Sequence, residues 1–346
     1  MPIVRALTFF IPIENFRKFE KALSEYIAWV ENILEDFPLE PWTVRTVLPP
    51  PPNNVSIDTW RKLLDYIIDN LGIDNPLIHG FSIPLSSKRL VDYIELLRTY
   101  DNLFGNIEFQ PDTLDALDYL YGYDEPDMYT RMAVTFGKTV KTPYFPATSN
   151  TDNLFGFGIA LRYVDLINKY LEGHTSDLSN YLDGVEMKLS GYGALYLGMD
   201  LSLSPWMEES VASIIEKHYG CRVGAPGSYH AVYNINLLIN NIMREIGLKT
   251  LGFNEVMLPV GEDNRLMELT RERELRLMDL VGLTNVCVAG LDMVVIPRDN
   301  EIIRNVVRDL YSISRARGKT IAMRIIPSNE DEVYIGRFGS IPAIRV

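Results

Sequence analysis

Apolar residues recur along this chain at two spacings, one typical of strands and one of helices. A largely apolar run over 3–13 predicts a strand. Phe16, Phe19, Leu23, Tyr26, Ile27, Val30, Ile33 and Leu34 then follow at helical spacing. Residues 42–48 predict a second strand, stopped by the prolines at 49–52, which cannot donate to a ladder and hold the chain extended. A helix over 57–71 carries Trp60, Leu63, Leu64 and Ile67 on one face, and a strand over 77–83 and a helix over 86–99 follow. The segment 101–127 is rich in aspartate and aromatic residues without a sustained period, which predicts loop with a short helix.

Further strands are predicted over 131–137, 192–203, 256–260, 286–296 and 320–326, and helices over 158–171, 207–217, 231–246, 264–280 and 301–316. This βα alternation predicts a mainly parallel sheet. Eight to ten strands with no linker or break in composition predict one domain over 1–346, a single large closed α/β barrel of about ten strands with outer helices. A triose-isomerase-type barrel, able to hold a phosphosugar, is the alternative if the strand count differs by one or two. The tail 332–346, with Gly336, Gly339 and Pro342, is expected to lie extended against the core.

Polar, small and proline-rich loops interrupt the buried segments between Asp200 and Asp292, at strand ends where parallel α/β enzymes place working side chains. In DLSLSPWMEES (200–210), Ser204 and Pro205 read as a helix start with acids beside it, whereas Asp200 at a buried strand end needs a partner or a purpose. In GAPGSYH (224–230), Gly224, Gly227 and Ser228 form a turn whose amides could cradle an anion, or simply a route into a helix. His230 reads as a general base, a metal ligand or a satisfied histidine. In LPVGED (258–263), Glu262 and Asp263 favour a helix dipole, or bind a divalent cation. CVAGLD (287–292) sets Cys287, a small buried hydrophobe or a thiolate, five residues before Asp292. Arg5, Arg45 and Arg324 stand inside apolar strands, where a cation needs an anionic partner from the protein or from a substrate.

Composition narrows the classes. A net charge of −13 argues against binding nucleic acid or an anionic membrane surface through phosphates, yet leaves room for a small anion beside a few local arginines. The two cysteines, Cys221 and Cys287, are too few for a disulfide framework and fit a reducing cytoplasm. No signal peptide or apolar span of about twenty residues is expected.

The four loops, with TPYFPATS (142–149) and MRIIP (323–327), resemble the uncharacterised bacterial and archaeal family catalogued as domain of unknown function 711, over roughly 130–330. The resemblance implies a barrel similar to that of pyruvate formate-lyase and other glycyl radical enzymes. The ending YIGRFGSIPAIRV, however, gives neither Gly336 nor Gly339 the setting of a radical glycine. The resemblance also implies an ACT-type regulatory partner, and a homo-oligomer is expected because such barrels expose apolar helix faces. The expectation is a cytoplasmic enzyme using acid–base chemistry, with a divalent metal as an option, on a small polar or anionic ligand. Asp200, His230, Glu262, Asp292 and Cys287 are the catalytic candidates; Asp200, Asp263 and Asp292 are the metal candidates; and Gly224, Gly227 and Ser228 are the anion-binding candidates. The other reading is a ligand-sensing or assembly protein that kept the scaffold and lost the reaction.

Overall fold

The computed structural model describes residues 3–72, 77–84 and 87–346, with backbone alone at 77–79, 81 and 84. In chain order the strands are β1 (Ile3–Phe10), β2 (Val44–Val47), β3 (Leu77–Pro84), β4 (Leu103–Glu108), β5 (Met132–Phe136), β6 (Gly156–Arg162), β7 (Tyr196–Asp200), β8 (Met257–Pro259), β9 (Ala289–Asp292), β10 (Val294–Pro297), β11 (Ile321–Met323), β12 (Ile325–Ser328), β13 (Glu332–Ile335) and β14 (Gly339–Pro342). The helices are α1 (Glu20–Glu35), α2 (Ile57–Asn70), α3 (Leu90–Thr99), α4 (Ala116–Leu120), α5 (Pro126–Thr130), α6 (Val164–Leu171), α7 (Thr175–Ser190), α8 (Val211–Tyr219), α9 (Ser228–Ile246), α10 (Asn264–Arg271), α11 (Leu277–Leu283) and α12 (Asn300–Arg317).

Amphipathic patterning builds the helical layer as the spacing predicts. Helix α1 buries Leu23, Ile27, Val30 and Ile33, and α2 buries Trp60, Leu63, Leu64 and Ile67 behind a Ser56 cap that accepts from the Thr59 amide. Four consecutive βα units then set β1 to β5 in parallel register. On the other side of β1, strand β6 runs antiparallel, pairing Leu7 with Ile159 and Phe9 with Phe157, and β7 follows it in parallel.

These strands form one eight-stranded sheet in the order β11-β5-β4-β3-β2-β1-β6-β7, and the rest form separate pairs, β8 with β9, β10 with β12 and β13 with β14. Among the described residues no sheet closes on itself, so the expected closed barrel of about ten strands is not the architecture. Beyond β7 the ladder stops at isolated bridges, Met199 with Thr250 and Leu203 with Val256. The cause is local: Gly198, Gly252 and Asn254 all adopt positive φ, which breaks a strand's extended path. The triose-isomerase alternative fails as well, because β6 against β1 and β11 against β5 are antiparallel, whereas that barrel needs eight parallel strands.

Several element boundaries also move. The expected helix over 158–171 begins as strand β6, whose residues are buried on both faces and so lack the alternation that marks a half-exposed strand. The helix expected from 207 starts at Val211 and is capped by Ser210, not Ser204. Residues 264–280 divide into α10 and α11 around Arg273, whose φ is +61°. The tail is a β13–β14 hairpin with Gly336–Phe338 at its tip. On α9, Tyr229, Tyr233 and Leu237 stand exposed in one stripe. Among the described residues no helix is long and apolar enough to cross a membrane.

Candidate anion-binding pocket

Strand ends and loops from across the chain enclose a cavity of about 250 Å³. Strand β1 supplies Arg5. The β1–β6 register shifts between Val4 and Ala6, so Arg5 lies outside the ladder and its side chain turns to the cavity. Strand β2 supplies Arg45; the 3₁₀ turn after β8 supplies Glu262; β9 ends in Asp292; and Arg324 stands between β11 and β12. The hairpin tip adds Arg337 and Phe338.

Two of the four arginines are held by the two acids. Glu262 accepts from Arg5 Nη2 at 2.6 Å and from Arg324 Nη2 at 2.8 Å, and Arg324 also grips both oxygens of Asp292 through Nε and Nη2. Arg5 donates in addition to the Pro205 carbonyl at 2.9 Å and stacks near Trp42, Tyr144 and Trp206. Burial pushes the Glu262 carboxyl up, but Arg324 and Arg5 outweigh it and hold it below the usual carboxylate range. For Asp292 burial prevails over Arg324, with Glu262 adding repulsion, so its carboxyl is pushed up. Arg324, between two carboxylates, is held firmly in its charged form despite burial.

The other two arginines differ. Among the described residues neither Arg45 nor Arg337 has a carboxylate at ion-pair distance. Arg45 Nε donates to Thr43 Oγ1 at 3.0 Å, Nη1 donates to the Pro143 carbonyl at 3.0 Å, and the guanidinium lies 5.0 Å from the Phe145 ring centre. Burial first, and repulsion from Arg5 next, push Arg45 down to about 9, so it remains a cation at neutral pH but an unfavourably placed one. Arg337 lies 5.6 Å from the Phe104 ring and is pushed down by burial, with Arg324 and Arg131 adding repulsion. Phe104 and Phe145 pack at 5.7 Å, so the two guanidiniums flank one aromatic pair. The pocket therefore carries four cations against two anions, inside a protein whose net charge is −13.

The sequence-singled residues scatter. Glu262 and Asp292 line the cavity; Asp200, Asp263, His230 and Cys287 do not. Asp200 is fully buried, with Oδ1 accepting from the Ser202 amide and hydroxyl and the Asn254 amide, and Oδ2 from the Thr142 hydroxyl and the Phe253 amide. Gly252 makes that nest possible, since a Cβ there would lie 1.9 Å from Asp200 Oδ2. Burial raises the Asp200 carboxyl and these donors pull it back. Asp263 caps two helices at once, accepting from the Val211 and Ala212 amides of α8 and from the Arg265 and Leu266 amides of α10.

His230 is exposed on α9, with Nε2 2.9 Å from Asn234 Nδ2. The Ser228 hydroxyl donates to the Arg222 and Ala225 carbonyls, and Gly224 and Gly227 turn the chain into α9. Cys287 is wholly buried, donates to the Leu283 carbonyl, and has its thiol pushed far up by burial. Asp200, Asp263 and Asp292 thus lie in three separate hydrogen-bond shells. Among the described residues no three His, Cys, Asp or Glu side chains converge to hold a metal ion. Sequence reasoning missed Arg337 and the aromatic wall of Trp42, Phe104, Tyr144, Phe145, Trp206 and Phe253. Arginine beside phenylalanine in the tail was a signal, but its place over the cavity depends on the hairpin.

A UPF0210 protein of Lactobacillus helveticus is 33% identical over 161 residues, covering 43% of this chain and 35% of that relative. One of Methanopyrus kandleri is 37% identical over 143 residues, covering 39% and 31%, and one of Clostridium acetobutylicum is 32% identical over 161 residues, covering 43% and 35%. The chain spans about a third of the length of the curated relatives it matches. Residues 126–333 match the family described as Uncharacterised ACR (DUF711), a span that takes in Tyr144, Glu262, Asp292 and Arg324 but not Arg5, Arg45 or Arg337, and the chain belongs to that family.

Proposed function

We propose that this protein binds a small anionic organic molecule in the arginine-rich cavity, with Arg45 receiving its charge. The carrying observation is the contrast between Arg45 and its neighbours. Arg5 and Arg324 are paired with Glu262 and Asp292, whereas Arg45 is a half-buried cation whose described partners are a hydroxyl and a carbonyl. A partly desolvated charge left so costs stability, and an incoming anion would offset that cost with charge-assisted hydrogen bonds.

The acid–base part of the reading centres on Asp292. It faces the cavity, and its carboxyl is pushed up by burial where that of Glu262 is held down, so it is the better suited of the two acids to take up a proton. Glu262, gripped at both oxygens by arginines, serves as their counter-charge. Two free cysteines support a reducing, cytoplasmic setting for this chemistry.

Trp42 and Trp206 line the cavity, so their fluorescence gives a direct test. Titration with acetate or inorganic phosphate should change tryptophan emission saturably in the natural protein and leave Arg45→Met unchanged. A response preserved in Arg45→Met would place the anion elsewhere and remove the proposal.

A further inference from the structure

Resting on that anion-site reading, we infer that the ligand is a carboxylate carried on an apolar, ring-sized body, rather than a phosphorylated sugar. The inventory of polar groups around the cavity carries this. Apart from charged side chains, the polar residues in the lining, tryptophans aside, are Thr43, Tyr144 and Ser204. Thr43 Oγ1 already donates to the Arg5 carbonyl and accepts from Arg45. The Tyr144 hydroxyl lies 2.8 Å from the Ser202 carbonyl and 3.1 Å from the Leu161 carbonyl, so its proton is directed to backbone, away from a ligand. Glu262 and Asp292 are gripped by arginines. That leaves Ser204 as the one neutral side-chain hydroxyl in this lining without another described partner.

A sugar phosphate brings several hydroxyls, and each one desolvated without a partner costs about 1–3 kcal/mol. The remaining wall is instead apolar: Phe104, Phe145, Phe253 and Phe338 present rings, and Met257 and Val288 present aliphatic surface. Such a wall rewards an apolar body that offers a flat face. At about 250 Å³ the space falls below the roughly 300–1,000 Å³ usual for drug-sized ligands, which suits a single ring with a short acid side chain. A planar carboxylate also matches the fork of the Arg45 guanidinium, whose described donations come from Nε and Nη1.

The test is a thermal-shift and calorimetric panel on the natural protein and on Arg45→Met, whose folding is checked by circular dichroism. One arm holds benzoate, phenylacetate and 3-phenylpropionate; the second holds glycerol 3-phosphate and glucose 6-phosphate; benzyl alcohol supplies the ring without the charge. The expected result is stabilisation by the aromatic carboxylates, with affinity falling at least tenfold in Arg45→Met and no effect of benzyl alcohol. If the second arm binds better in an Arg45-dependent way, the ligand class inferred here is wrong while the anion site stands. If benzyl alcohol binds as well as benzoate, the carboxylate half is wrong. If neither arm binds, both the class and the anion site fall.

Discussion

The Arg5 guanidinium lies 2.6 Å from the Glu262 carboxylate, joining the first strand to a turn 257 residues later. Arg324 holds the other oxygen of Glu262, so one carboxylate separates two buried cations. Glu262→Gln should therefore destabilise the protein by about 3–5 kcal/mol, because it leaves Arg5 without a counter-charge and Arg324 with Asp292 alone. Urea unfolding followed by circular dichroism measures this. A loss under about 1 kcal/mol would show that the network is solvated and contributes little.

The same carboxylate sets a pH dependence. Its folded-state value is lowered, so the stability it contributes is fully present above the unfolded value of about 4.3 and is lost as pH falls through the folded value. Asp292, with a raised value, acts in the opposite sense, costing stability above its own titration. Acid unfolding between pH 2 and 6 should show a loss of stability in the natural protein that is flattened in Glu262→Gln. Parallel curves would rule out Glu262 as the source.

Arg45 gives the opposite prediction from Glu262. It lies beside other cations, so Arg45→Met should raise the melting temperature of ligand-free protein, by about 1–2 °C for a relief of about 1 kcal/mol. A fall in melting temperature would mean that its bonds to Thr43 and the Pro143 carbonyl matter more than its repulsion.

Asp263 accepts amides from two helices, and each cap is worth about 1 kcal/mol, so Asp263→Ala should cost about 2 kcal/mol. Ligand response in the protein that remains folded should survive, as it should in Asp200→Asn, because neither side chain faces the cavity. Loss of that response in a demonstrably folded Asp200→Asn would return Asp200 to the site.

Cys287 should resist alkylation until the protein unfolds, since it is wholly buried with its thiol pushed up, whereas partly exposed Cys221 should label slowly in the folded state. Mass spectrometry of labelled protein separates the two. Faster labelling of Cys287 would overturn its reading as a packed side chain.

Much of this was legible in the sequence where one face of an element is buried. The stripe Trp60, Leu63, Leu64 and Ile67 fixed α2, and the alternation of strands and helices gave the parallel run from β1 to β5. The residues of strand β6 from 158 on instead predict helix, because burial on both faces erases the period of two. The open sheet was hidden as well, since a ladder ends where glycines and Asn254 turn the backbone, and an apolar count does not register φ. At the site, unusual cations were a better guide than unusual acids. Arg5, Arg45 and Arg324 stood out against apolar strands, and all three face the cavity. Asp200 and Asp263 stood out equally, yet their needs are met by backbone amides and hydroxyls whose approach depends on tertiary structure.

The most direct measurement is native mass spectrometry of protein purified from its own source, beside Arg45→Met purified in the same way. The account predicts that the natural protein carries a small anionic organic molecule, released on unfolding and absent from Arg45→Met. A natural protein free of any such molecule, or an Arg45→Met that retains it, would contradict the assignment of this pocket.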